Sequence, residues 1–575
     1  MNFDLNIKIG GAAGQGLQTI GMVLSKTFRK SGFFVFATQY YLSRVRGGHN
    51  IFQIRISDVP LKAMTESVDV LIALDKASID EHLNEISDGV VLVDMDALGL
   101  EVEHDAVFHV PMLNIAKDVC GNKIYSNSVA TGAAMGLLCS EFDYLSEVLS
   151  STFKKKGEEI IDKNIKAARA GFDYVMENYP HGCKFEVPEV AGEGAKMLIA
   201  GNDAVGLGAL AADLRFLAAY PMTPSTGVMT FVATNADNFN VVVEQAEDEI
   251  AALNMVLGAS FTGVRAMTTT SGGGFSLMAE ALGLSGITET PAVIFLSQRP
   301  GPATGLPTMT EQGDLQFVLN AAQGEFPRAV LAPGTPEECF YLTAEAFNIA
   351  DKYQIPVFVM SDQYLADSLF TCERFDPSKV NIERHLLSDQ ELRTKHGEYK
   401  RYKFTPLGIS PRAIPGQEGV VVVADSDEHN EMGHIDQTVE NRIRMNEKRM
   451  KKLEVLSGEI PAPAVHGPEN ANISLIGWGS SYGPLAEAVD NLNAEGHSVN
   501  LVHYNYVYPF PASQTREILR RSKKIICVEG NATGQFARLL TSDTGVELTG
   551  KILRYDGKPF SPEFIVNALK EKGVI

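Results

Sequence analysis

In the stretch "VVVEQAEDEIAALNMVLGAS", residues 241–260, one acid stands apart from its acidic neighbours. A strand-like VVV leads into a helix on which Glu249 shares a face with Leu253 and Val256, so its carboxyl points into apolar surroundings. A carboxyl placed that way has a raised pKa and tends to keep or share its proton, which costs stability unless it serves a task. The plainer reading of the same residue is a first-turn acid stabilised by the helix dipole. Glu244, Glu247 and Asp248 read as a solvated face.

Three more stretches place reactive or binding groups where a strand ends, the position at which open α/β sheets take their ligands. "YPMTPST", residues 220–226, follows a buried strand over Arg215–Ala219 and braces Thr223 between prolines; Thr223 is expected to cap a helix that starts at Pro224. "RAMTTTSGGGFSLMAEAL" ends a strand in hydroxyls and glycines, so Ser271, Gly272 and Gly273 expose backbone donors ahead of a helix. "PAVIFLSQRPGPATGLPT" ends a strand at Arg299, whose planar fork suits a carboxylate, before a Pro/Gly loop that is neither helix nor strand; an ordinary exposed loop arginine is the alternative. "DEHNEMGH", residues 427–434, gathers Glu428, His429 and His434, but the i, i+5 spacing keeps the imidazoles off one helical face, so no metal site is expected on this chain.

The elements that must position these groups follow an α/β pattern. "LNIKIGGAAGQGLQTIG", "KMLIAGNDAVGLGALAADL", "NISLIGWGSSYGPLAEAV" and "KKIICVEGNATGQFARLL" each run from a β-branched strand through a Gly-rich turn into a small-residue helix. None carries the full GxGxxG spacing with a following acid, so each is either a phosphate loop or simple strand-to-helix geometry. Composition breaks divide the chain into an α/β unit over 1–185, a second over 195–388, a polar connecting segment with a charged helix over 389–470, and a last compact α/β unit over 471–575.

Bulk numbers remove several function classes. The 575 residues are 45% hydrophobic and 21% charged, ordinary globular material for several domains, and the net charge of -21 argues against a nucleic-acid partner. Cys120, Cys139, Cys183, Cys339, Cys372 and Cys527 lie far apart without a CxxC pair, so neither a zinc ribbon nor an iron–sulfur cluster is expected from this chain, and a reducing cytoplasmic compartment is. The first residues lack a signal-peptide pattern, and no apolar run is long enough for a membrane span.

Taken in order, these stretches resemble the 2-oxoacid:ferredoxin oxidoreductases, specifically the alpha subunit of the 2-oxoglutarate type with a gamma domain fused at its N-terminus. "GGAAGQG" and "YYLSRVRGGHN" are similar to gamma-domain signatures; "YPMTPST", "EQAEDEIAALNMVLGAS", "TTTSGGG" and "SQRPGPATGLPT" to the pyrimidine-binding domain; "GISPRAIPG", "DEHNEMGH" and "VEGNATGQFARLL" to later alpha-subunit landmarks. The resemblance implies a Rossmann-like gamma domain, a thiamine-diphosphate-fold pyrimidine-binding domain and a transketolase C-terminal-like domain. It implies that Glu249 bonds N1′ of the cofactor's aminopyrimidine, assisting removal of the thiazolium C2 proton, while Thr223 bonds the oxoacid's carboxylate or carbonyl and Arg299 grips the carboxylate. Ser271, Gly272 and Gly273 would line the cofactor, and Arg44 and Arg46 are the candidates for coenzyme A phosphates, unless "SRVRGGHN" is a structural turn.

The family's GDG motif with its asparagine is missing here, as are clustered cysteines. The resemblance therefore implies a beta subunit that carries the diphosphate site, Mg²⁺ and a [4Fe-4S] cluster, an (αβ)2 assembly, and ferredoxin as electron acceptor. The expected reaction converts 2-oxoglutarate and CoA to succinyl-CoA and CO₂, or runs in reverse. Pyruvate or branched-chain 2-oxoacids are the alternative substrates. A transketolase-like or dehydrogenase component and a non-catalytic CoA- or nucleotide-binding scaffold are the rival readings.

Overall fold

Strand after strand is built from runs of Val, Ile, Leu and Phe buried on both faces, the mark of parallel sheets covered by helices. In the computed structural model, which describes residues 3–43, 47–188, 190, 196–394 and 398–575, the chain separates into two compact units. Arg44 and Arg46 lie outside the described residues.

The first unit comprises 1–199 with 368–374 and 561–563. Its eight-stranded sheet has the order Val107–His109, Val90–Val93, Val70–Ala73, Asp4–Ala13, Gly47–Ser57, Phe34–Tyr40, Leu369–Glu373, Lys196–Ala200. Asp4–Ala13 runs parallel to Val70–Ala73, with Ile7 beside Val70, and antiparallel to Gly47–Ser57, with Ile7 beside Ile54. "VLIA" and "VVLV" are buried at every position. The helix Leu17–Lys30 follows the first glycine loop and ends on Arg29 and Lys30, cations placed where the helix dipole is negative. Against the expectation of reduced thiols, Cys139 and Cys183 are joined in a disulfide, with Cα atoms 5.6 Å apart, while Cys120, Cys339, Cys372 and Cys527 take no part in one.

The second unit holds two sheets. The larger has the order Tyr506–Tyr508, Ala329–Leu331, Pro356–Asp362, Ala292–Gln298, Arg265–Thr270, Leu214–Ala219, Val242–Gln245, parallel except at Tyr506–Tyr508. "AVIFLSQ" and "PVFVMSD" are buried throughout. Arg265 opens a fully buried strand because its guanidinium reaches Asp351 at 3.0 Å, Asn348 at 2.7 Å and the Ala212 carbonyl at 2.8 Å. The smaller sheet has the order Ala464–His466, Val499–Tyr504, Ile473–Trp478, Lys524–Glu529, Gly550–Leu553. One apolar cluster, including Leu253, Phe275, Leu296, Trp478, Tyr504 and Phe536, joins side chains of both sheets. Each fully buried side chain of this kind contributes roughly 1.5–3 kcal/mol.

Three of the four strand–glycine–helix stretches fold as read; in the second the strand Lys196–Ala200 passes directly into the helix Gly201–Ala211 with no glycine turn between them, and the chain is an α/β protein of the expected class. The polar segment carries its charged helix at Val439–Ser457. No helix among the described residues is long and apolar enough to cross a membrane.

Candidate active site

Four neighbouring parallel strands of the larger sheet deliver the candidate residues to one edge. Thr223 follows Leu214–Ala219, Glu249 follows Val242–Gln245, Ser271–Gly273 follow Arg265–Thr270, and Arg299 follows Ala292–Gln298. In a parallel sheet these carboxyl ends, with the helix N-termini behind them, form the ligand-binding crevice.

Asp248 starts the helix Glu249–Phe261 by accepting from the Ala251 N–H at 2.8 Å, which sets Glu249 as the first helical residue. Glu249 is 2% exposed, and Leu253 and Val256 on its face are fully buried. Its acidic neighbours Glu244 and Glu247 are exposed. Burial pushes the Glu249 carboxyl above its ordinary pKa; a bond from its own backbone N–H lowers it and the charge of Asp248 adds to the rise. Among the described residues Glu249 Oε1 has no hydrogen-bond partner. Gly274 explains how the helix of the triple glycine approaches so closely: a Cβ there would collide with Glu249 Oε1 and Thr270 Oγ1. The Ser271 hydroxyl, also buried, lacks a partner among the described residues.

Arg299 donates from Nη1 to the Thr223 carbonyl oxygen at 2.7 Å. Two loops that are far apart in sequence are thereby joined. The expected capping role of Thr223 does not occur: the helix runs from Thr226 to Phe239, Ser225 stands at its N-cap without a side-chain cap, and the Ser225 hydroxyl donates back to Met222 O at 2.7 Å. The helix therefore begins two residues later than the Pro-first reading placed it. Burial lowers the Arg299 pKa, and Asp314 partly restores it.

Asp314 was missed at the sequence level. An aspartate directly ahead of the apolar helix Leu315–Asn320 looks like an N-cap, but it makes no such bond. Its N–H donates to Gln298 Oε1 at 3.0 Å, Gln298 in turn donates to the Ser361 carbonyl at 3.1 Å, and a Cβ on Gly272 would strike the Asp314 carboxyl. Burial pushes this carboxyl up to about 7, with the charge of Glu311 adding and that of Arg299 opposing. Between the ordinary aspartate value and about 7 the folded chain holds a proton that the unfolded chain has released, so stability falls as pH rises through that window. Asp314→Asn, neutral throughout, is expected to be more stable than wild type by about 1–3 kcal/mol near pH 8, with a gap that narrows steadily and closes only as pH falls to about 4, read by melting across that range.

In the "DEHNEMGH" segment Arg449 and Arg442 hold the Glu428 carboxylate at 2.7 Å each. His429 is fully buried, its ring 4.0 Å from that of Tyr402.

Comparison with known proteins meets this geometry from the other side. The family profile described as "Pyruvate flavodoxin/ferredoxin oxidoreductase, thiamine diP-bdg" matches residues 207–448, which span every candidate residue of this edge. "Pyruvate ferredoxin/flavodoxin oxidoreductase" matches 6–174, and "Pyruvate:ferredoxin oxidoreductase core domain II" matches 471–563. The 2-oxoacid:ferredoxin oxidoreductase subunit alpha of a Sulfolobus species is 33% identical, covering 98% of this chain and 96% of its own. The chain belongs to the 2-oxoacid:ferredoxin oxidoreductases, as an alpha subunit. This is a thiamine-diphosphate-dependent oxidoreductase family. The 2-oxoglutarate oxidoreductase subunit KorA of Mycobacterium tuberculosis is 31% identical over 93% of this chain and 86% of its own. The solved 2-oxoglutarate:ferredoxin oxidoreductase from Magnetococcus marinus, with 2-oxoglutarate, coenzyme A and succinyl-CoA bound, is 34% identical, covers 99% of both chains and superimposes with a TM-score of 0.93.

The residues fit a thiamine pyrimidine ring. A buried carboxyl with an unpartnered oxygen is the partner that a ring nitrogen needs, and Gly274, lacking a Cβ, lets that carboxyl lie against the backbone.

Proposed function

We propose that this chain is the alpha subunit of a 2-oxoglutarate:ferredoxin oxidoreductase that forms succinyl-CoA and CO₂ from 2-oxoglutarate and CoA, or runs the reverse reaction. The observation that carries the chemistry is Glu249, a carboxyl packed against Gly274 with its Oε1 free. The choice of 2-oxoglutarate is supported by the likeness to the Magnetococcus enzyme along the whole chain and by the KorA relative.

In this reading Glu249 shares a proton with the pyrimidine nitrogen, held in place by the Asp248 cap and by Leu253 and Val256 below it. Bound thiamine diphosphate supplies the nucleophilic carbon that attacks the oxoacid carbonyl. Ser271, Gly272 and Gly273 line the cofactor. Arg299 pairs with the oxoacid carboxylate, and its bond to the Thr223 carbonyl keeps the Thr223 hydroxyl beside the same group. Arg299→Lys, which loses the planar fork, is expected to lower kcat/KM for the oxoacid by about 10²-fold, mostly through KM, in steady-state dye-reduction assays.

The segments 1–185, 195–388, 389–470 and 471–575 act as gamma domain, pyrimidine-binding domain, connector and transketolase C-terminal-like domain. CoA is assigned to the pocket over the first glycine loop, lined by Gly14, Gly16, Leu17, Gln39, Leu42 and Asn50. There the N-terminus of the helix Leu17–Lys30 favours phosphate. Arg44 and Arg46, which lie outside the described residues, are proposed from the sequence as further phosphate ligands. A beta subunit supplies the diphosphate site, Mg²⁺ and the [4Fe-4S] cluster, ferredoxin takes the electrons, and the assembly is (αβ)2 in the cytoplasm.

Purification from the native source tests the partnership: a smaller, brown, cysteine-rich subunit is expected to accompany the chain. In that complex, CoA-dependent dye reduction is expected to favour 2-oxoglutarate over pyruvate in kcat/KM by on the order of 10²-fold or more. A preference for pyruvate or for branched-chain oxoacids would overturn the substrate, and an active, colourless chain purified alone would overturn the whole reading.

A further inference from the structure

The motif "RGGHN" ends in a histidine that the proposed chemistry does not use. Gly47 and Gly48, at φ 74° and 77°, carry the chain through a left-handed turn into the strand Gly47–Ser57, and His49 comes next, opposite Ala12 of the strand Asp4–Ala13. The helix Lys76–His82, which follows Val70–Ala73, brings Glu81 and His82 to the same place. All of these residues belong to the first unit.

His49 Nε2 lies 2.7 Å from His82 Nε2 and 3.9 Å from Glu81 Oε2. Ligand atoms of the three residues fall within 4.8 Å of one another. Behind His82, Nδ1 faces Glu85 Oε1 at 3.0 Å, and Glu85 is itself paired with Lys8. A carboxylate at Nδ1 takes the ring's N–H, which leaves a lone pair on His82 Nε2 directed at His49. That is the support that metal-ligating imidazoles carry in proteins: an outer carboxylate that fixes tautomer and ring orientation. Burial lowers the His49 pKa, a preference for the neutral, ligating form, although Glu81 and Asp75 oppose it while His82 and Lys8 reinforce it. Asp75 is already engaged as the cap of the helix, accepting from the Ser78 N–H and hydroxyl.

We propose that His49, His82 and Glu81 form a binding site for a divalent first-row transition ion, Zn²⁺ in the first place, with one coordination position left to solvent. Two imidazoles and one carboxylate are the borderline donor set that Zn²⁺ takes with three protein ligands. Two nitrogen ligands at about 2.0–2.1 Å on a tetrahedral ion stand roughly 3.3 Å apart. The ion therefore replaces the hydrogen bond between the rings and spreads them by about half an ångström. Glu81, on the exposed side, closes on it.

The test is calorimetric titration of Zn²⁺ into the chelator-treated full-length chain, with melting curves in chelator to check folding. Wild type is expected to take one saturable Zn²⁺ per chain and to melt higher with it. His49→Gln combined with His82→Gln is expected to lose that ion, and Glu81→Gln to bind it about tenfold or more weakly. A wild-type chain without stoichiometric Zn²⁺, or a folded double variant that binds it unchanged, overturns the proposal. Should the double variant fail to fold, Glu81→Gln decides, since an exposed side chain can be replaced without disturbing the core; unchanged affinity there overturns it too.

Discussion

Glu249→Gln in the reconstituted complex is expected to lower kcat by about 10²–10⁴-fold while leaving subunit assembly intact. The substitution keeps the size of the side chain and its place as first residue of the helix Glu249–Phe261, so the Asp248 cap and the packing on Leu253 and Val256 persist. What it removes is an oxygen that can hold or release a proton at the position where Oε1 is free of partners. Stability should move the opposite way. Burial raises the Glu249 pKa above 4.5, so from about that pH up to the folded value the native chain retains a proton that the unfolded chain loses, and stability falls as pH rises through the window. Without cofactor near pH 8, the glutamine variant is then expected to be as stable as wild type or more so, by up to about 1–3 kcal/mol in thermal melts. An inactive protein that melts no lower has lost chemistry and not fold. Turnover near the wild-type rate would instead favour a scaffold that binds CoA or nucleotides without catalysis.

The edge of the larger sheet was legible because its signals are local. Glu249 announced itself through Leu253 and Val256 at helical spacing, and Ser271–Gly273 and Arg299 through the hydroxyls, glycines and prolines that end fully buried strands. Two features were not legible because they depend on residues distant in sequence. Asp314 imitates a helix cap, and only Gln298 and Gly272, brought up from neighbouring strands, turn it into a buried carboxyl beside the same glycines. The disulfide joins Cys139 and Cys183 across 44 residues, and no local spacing marks the two as partners. Thr223 shows the converse failure. The hydroxyl–proline pair is a sound start signal for a helix, yet the chain used it to build the turn that Arg299 grips.

Glu289→Ala is expected to destabilise the second unit by about 3–5 kcal/mol, read as a lower denaturant midpoint in the fluorescence of Trp478, the chain's single tryptophan, which is 1% exposed in that unit's core. The charged helix Val439–Ser457 reads from its sequence as an amphipathic helix of a polar connecting segment, yet two of its charged residues, Lys448 and Lys452, point inward and are 4% and 1% exposed. Both reach the carboxylate of Glu289, Lys448 at 2.6 Å, and Arg401 donates to the Glu289 carbonyl at 2.7 Å. Burial alone would push the Glu289 carboxyl up; the cations outweigh it and hold it well below the usual carboxylate range. Removing the one anion leaves buried cations facing each other without a counter-charge, which is why the loss exceeds that of a surface pair several-fold. The cost comes from the stranded charges, not from the worth of the pair, and the two are separable. Glu289→Met made together with Lys448→Met and Lys452→Met replaces the ions by apolar groups of similar length and is expected to recover most of the lost stability. If the triple variant is no more stable than Glu289→Ala, the cluster stabilises this unit through its geometry and the charge argument fails.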